Sequence, residues 1–149
     1  MTCTERNDLP FSPSEKLLRR VHRFHIDGEV VLPDTFKTDF QRSAASFNRS
    51  KVNSNPLDVI TPKPRSEWGA ASLRHEQVPS LIEHDGGRKF IVSVQHCVEN
   101  GNDAHTEVRL TREGKPFKES YEPPDKVHLR IKTLLAEALV LELLPTESE

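Results

Sequence analysis

The chain has 149 residues, of which 34% are hydrophobic and 30% charged, with a formal net charge of −2. That length is enough to bury a core without metal or crosslinks, and the near-neutral charge excludes a global basic field of the kind that gathers nucleic acid. Two cysteines, Cys3 and Cys97, make no disulfide framework, the first residues carry no apolar signal core, and no run reaches membrane-spanning length. A cytoplasmic protein with free thiols and no membrane association is the expectation.

In chain order, residues 1–11 read as a flexible lead-in to a single α+β domain over 12–145. Ser12-Pro13-Ser14-Glu15 has a helix-start signature, with a capping serine, a proline suited to the first turn and a glutamate that can reach back. Leu17, Leu18 and Val21 follow at helical spacing, then the pattern turns strand-like. Asp27-Gly28 is a turn dipeptide, and the strand-like Glu29 to Leu32 after it completes a hairpin.

Phe36, Phe40, Ala44 and Phe47 recur at intervals of four, four and three, the spacing of an apolar helical stripe. Residues 49–67 contain turn formers and prolines and read as an extended loop. Trp68 to Leu73 reads as a strand, and Gln77 to His84 fits neither pattern.

The clearest structural signal is a β-hairpin over about 89–112. Placing both apolar sets on one face of the sheet requires Val92 opposite Leu110, Val94 opposite Val108 and His96 opposite Thr106. The loop is then the five residues Glu99 to Asp103. This register sends His96 to the apolar side and puts Cys97, His105 and Glu107 together on the polar side. After it, Val127, Ile131, Leu134, Ala138 and Leu141 mark a long helix over about 124–143, widened by Leu135, Leu139, Val140, Leu143 and Leu144. The fold expected is therefore a small, mainly antiparallel sheet with a central hairpin, packed by helices and chiefly by the C-terminal one.

Two functional classes follow. The first is a non-catalytic interaction module that binds another protein, or a second copy of itself, through the apolar C-terminal helix or the polar hairpin face. The second is a small hydrolase or ribonuclease-like enzyme with Cys97 as nucleophile, His105 as base and Glu107 as orienter, and with His96 added if the register differs. The first is preferred, because no complete catalytic motif is present.

Cys97 and His105, with Glu107 or another histidine, could also ligate a metal, but their spacing matches no recognised zinc pattern, so neither metal nor cofactor is assigned. Arg49 and Lys51 are candidate anion contacts within a locally basic stretch that also holds Arg42, Lys63 and Arg65, with Phe47 or Trp68 available to stack on a base, and Arg109 of the hairpin is a third candidate. The net charge lends nucleic acid no further support. Alternation places His22 and His25 on opposite strand faces, which argues against a joint site.

Overall fold

The computed structural model describes residues 3–42, 44–84, 88–99, 101–112 and 125–146. The strands are β1 (Thr4–Glu5), β2 (Lys16–His22), β3 (Ile26–Asp27), β4 (Val30–Val31), β5 (Ala44–Arg49), β6 (Trp68–Arg74), β7 (Leu81–His84), β8 (Arg88–Val98), β9 (His105–Arg112) and β10 (Val140–Leu143). Two α-helices, α1 (Leu57–Ile60) and α2 (Asp125–Ala138), and four short 3-10 turns complete the described elements. Eight strands form one sheet in the order β1-β8-β9-β5-β2-β6-β10, with β7 also paired to β8, while β3 and β4 form a separate ribbon. Every pairing is antiparallel.

This overturns the expected small sheet covered by helices. The largest discrepancy is Lys16 to His22, where a helix was expected and a strand pairs with β6 along seven residues. Leu17, Leu18 and Val21 are all buried, Leu17 and Val21 in the core and Leu18 on the opposite side of the strand, where α1 packs. A strand buried on both sides shows no period of two, so a short apolar run there mimics a helix. The Glu15 carboxylate does not cap a helix; both its oxygens accept from Arg49.

The Phe36 to Phe47 stripe fails for another reason. Pro33–Phe36 and Asp39–Arg42 are 3-10 turns, and Ala44 begins β5. Phe36, Phe40 and Phe47 still converge in the core, but from three separate segments. The loop expected at 49–67 contains α1, whose Ile60 is buried. The helix expected over about 124–143 ends at Ala138, and Val140–Leu143 turns back as an edge strand on β6. That edge approaches closely: a Cβ at Gly69 would collide with the Leu143 carbonyl oxygen.

Other expectations match what is found. Ile26 pairs with Val31 and Asp27 with Val30, and Gly28 turns between them at φ 62°. Trp68–Arg74 is a strand. In the β8–β9 hairpin Val92 pairs with Leu110, Val94 with Val108 and His96 with Thr106, the register that burial demands.

The core lies on one face of the sheet. Phe90, Val92, Val108 and Leu110 of the hairpin meet Ala45 and Phe47 of β5 and Leu17 and Val21 of β2. Helix α2 covers them with Val127, Ile131, Leu135 and Ala136, and packs on the Pro33–Phe36 turn, β6 and β7. No helix among the described residues is long and apolar enough to cross a membrane.

Candidate functional site in the polar cleft

Side chains alternate across β8 and β9, so the face opposite the core carries Cys97 and Glu99 from one strand and His105, Glu107 and Arg109 from the other. Residues 3–7, part of the stretch 1–11 read from sequence as a lead-in, lie against this hairpin. Thr4 pairs with Val98 and Glu5 with Cys97. Cys3 and Cys97 form a disulfide, with Cα atoms 5.2 Å apart. The expectation of free thiols is thereby corrected: 94 residues of separation in sequence vanish once β1 is laid along β8.

His105 is buried at 5% exposure. Its Nε2 lies 3.3 Å from a Glu99 carboxylate oxygen and 3.5 Å from Oε2 of Glu107. The other Glu107 oxygen accepts from Arg109 Nε at 3.0 Å, and Arg109 also donates to Glu5 at 2.6 Å. The hydrogen bond with His105 is the largest cause holding the Glu107 carboxyl down at about 2; burial opposes it, and Arg109 lowers it further. A second Arg109 nitrogen lies 3.4 Å from the Cys97 sulfur and 3.7 Å from that of Cys3.

The hairpin loop is tied to the neighbouring strand. Asn102 Nδ2 donates to Asn48 Oδ1 at 2.8 Å, Asn102 Oδ1 accepts from the Ala104 amide, and Glu99 and Asn102 pair through their backbones. Gly101 supplies the left-handed turn at φ 81°, which an L side chain rarely adopts. Beside this loop opens a cleft of about 580 Å³. It is bordered by Ser46 and Asn48 of β5, Arg20 and His22 of β2, Trp68, Asp58, and the hairpin residues Glu99, Asn102 and His105.

Of the residues singled out from sequence, the structure brings Cys97, His105, Glu107 and Arg109 together on one face. It sends His96 elsewhere. His96 is buried, its Nε2 donates to the Asp103 carbonyl at 2.6 Å, and its Nδ1 lies 3.3 Å from the Arg49 guanidinium, from which it accepts. Arg49 is itself fully buried, and its five N–H donors face Glu15 twice, the Leu9 and Pro10 carbonyls, and His96. It therefore has no donor left for a phosphate.

Lys51 is exposed, outside the cleft lining, and its backbone amide donates to Glu15. Phe47 is buried in the core, whereas Trp68 has Arg20 and Lys63 over its ring. Arg65 donates to the Trp68 and Leu144 carbonyls, and the Arg42 side chain lies outside the described residues. His22 and His25 come together after all, with ring centroids 6.2 Å apart. Strand alternation ends at His22, whose Nδ1 accepts from the Phe24 amide to start a 3-10 turn.

Glu99, Asn48 and Asn102 were not singled out. Glu99 was legible, since continuing the alternation two residues past Cys97 puts it on the same face. Asn48 was not, because a helix had been read across β5.

Two sets of three side chains here have donor atoms all within 4.8 Å of one another: Glu99, His105 and Glu107, and Cys3, Cys97 and Glu107. The metal set read from sequence, Cys97 with His105 and Glu107, is thus divided between them. The class defined by this fold and site is an antiparallel β-sheet protein with a polar cleft beside a disulfide-tethered hairpin. No protein-family model matches the chain, and no curated protein or solved structure matches it either.

Proposed function

We propose that the protein is a non-catalytic interaction module whose partner, another protein, seats in the polar cleft beside the β8–β9 hairpin. The observation that carries this reading is where the apolar surface goes. Val127, Ile131, Leu135, Ala136 and Leu139 face the protein's own core, and of helix α2's leucines only Leu129 is strongly exposed, at 58%. The apolar face of the helix is thus mostly used in folding, and the cleft beside the hairpin is a concave surface open for recognition.

Its lining mixes Arg20, Lys37 and His22 with Asp34, Asp58 and Glu99. Both charge signs in one groove suit a protein segment with complementary charges and disfavour a polyanion, whose affinity comes from neutralised phosphates. The hydrolase reading asks for a thiolate at Cys97, and the bridge to Cys3 withholds it. The bridge also favours an oxidising compartment over the cytoplasm expected from sequence.

Ser46 is exposed on the cleft floor and can be replaced without touching the core. Tagged wild type, Ser46→Arg and Leu129→Arg proteins would be compared by quantitative co-purification from the source cells. A protein retained by wild type and Leu129→Arg but lost from Ser46→Arg supports the cleft. A bound set unchanged by Ser46→Arg overturns it.

A further inference from the structure

We propose that Glu99, His105 and Glu107 form a zinc site at the rim of the cleft, with His105 Nε2, one Glu99 oxygen and Glu107 Oε2 as its three protein ligands. The claim concerns metal binding alone and stands whether or not a protein partner occupies the cleft.

The first argument is distance. An imidazole that simply donates to a carboxylate makes a charge-assisted hydrogen bond of about 2.7–2.9 Å. His105 Nε2 is 3.3 Å from Glu99 and 3.5 Å from Glu107, so both contacts, including the hydrogen bond with Glu107, are longer than that. Zinc holds imidazole nitrogen at about 2.0–2.1 Å and carboxylate oxygen at about 2.0–2.2 Å in tetrahedral array, which puts neighbouring ligand atoms about 3.4 Å apart. The two separations observed are edges of that tetrahedron.

The second argument is stoichiometry. One ring nitrogen carries at most one hydrogen, yet two carboxylates converge on it, with all three donor atoms within 4.8 Å of one another. A shared proton serves one of those carboxylates. A dication on the nitrogen's lone-pair side serves both, and offsets the repulsion between them.

The third argument is support around the ligands. His105 is buried, so its ring is held by packing. Glu107 is fixed through its other oxygen by Arg109, which leaves Oε2 directed at His105. An outer hydrogen bond of this kind orients a metal-binding carboxylate. Glu99 is anchored through its backbone pairing with Asn102, which is in turn tied to Asn48. Glu99 and His105 both border the cleft, so a fourth ligand, water or an anionic oxygen of the cleft's occupant, can reach the ion from there. Three protein ligands with one open position is the pattern of exchangeable zinc sites, whereas closed structural sites use four.

The test uses the full chain with Cys3 and Cys97 oxidised, verified by thiol titration, and freed of metal by chelation and desalting. Zinc stoichiometry and affinity would be read by competition with a chromophoric chelator, and coordination by the visible absorption of the cobalt(II) form. One zinc per chain and a four-coordinate cobalt spectrum are expected. Glu99→Gln, at the most accessible ligand, should weaken binding about tenfold or more. His105→Gln should abolish it, and His75→Gln, outside the cleft lining, should leave it unchanged. Far-UV circular dichroism identifies a His105 variant that has not folded, in which case Glu99→Gln decides. Absence of zinc binding at micromolar concentration, affinity unchanged in Glu99→Gln, or binding that begins only after the disulfide is reduced would each overturn the site.

Discussion

Inside the core, the Arg49 guanidinium donates to Nδ1 of His96 across 3.3 Å, joining β5 to β8 through two side chains that are both fully buried. The same guanidinium pairs with Glu15 at 2.7 Å, donates to the Leu9 and Pro10 carbonyls, and stacks on Phe11 at 3.9 Å. Four parts of the chain thus meet on one cation.

Arg49→Met leaves the Glu15 carboxylate buried without its cation. Breaking one half of a buried pair costs about 3–5 kcal/mol. The double variant Arg49→Met/Glu15→Leu removes the stranded charge and should lose less than the two single losses added together. Urea unfolding of all four proteins measures the coupling. Strict additivity would show that the Arg49–Glu15 contact carries no interaction energy of its own.

Cys3→Ser opens a covalent loop whose ends are 94 residues apart in sequence. Loops of that size contribute about 4–5 kcal/mol in the chain-entropy account, and native bridges generally about 2–5 kcal/mol. The variant should therefore unfold at lower denaturant than the oxidised wild type and coincide with the reduced wild type. Equal midpoints for the oxidised wild type and Cys3→Ser would show that the bridge is energetically idle.

Stability should fall as pH drops from 7 toward 3, in two stages. Burial is the largest cause lowering the pKa values of His25 and His75 below 6.5; His22 and Arg19 add to it at His25 against Asp34, and Arg49 adds to it at His75 against Glu15. The unfolded chain then binds protons at these histidines before the native state does, so stability declines once pH passes below about 6.5. Burial of Glu15 acts to raise its pKa, but the hydrogen bonds from Arg49 and the Lys51 amide outweigh it, and the net shift is downward from 4.5. Its contribution is intact above 4.5 and is lost as pH falls through the lower native value. Denaturation midpoints from pH 7 to 3 read both stages, and His75→Gln should flatten the first.

Legibility from the sequence followed the kind of burial each segment has. The β8–β9 hairpin has one face in the core and one polar face, and its alternation revealed strands, register and the cluster of Cys97, His105 and Glu107. β2 sits in the interior of the sheet, so Leu17, Leu18 and Val21 lost the alternation that would have marked them as a strand. Phe36, Phe40 and Phe47 share a core without sharing an element, and a one-dimensional period cannot distinguish the two. Val140 and Leu143 continue a helical stripe but leave the helix, because the edge of β6 offers backbone partners.

The sequence by itself therefore determined the hairpin, its register, the polar face on which the candidate ligands lie and the turn at Gly28. Each of these follows from contacts between residues near in the chain or from the two-residue period of a half-buried strand. Only the tertiary structure decided that Cys3 meets Cys97, that Arg49 is the buried partner of Glu15 and His96, and that Asn48 and Arg20 share a cleft with His105. Those relationships join residues tens of positions apart through strand pairing. The free energy of such pairing depends on the whole sheet being assembled, and no local pattern in the chain records it.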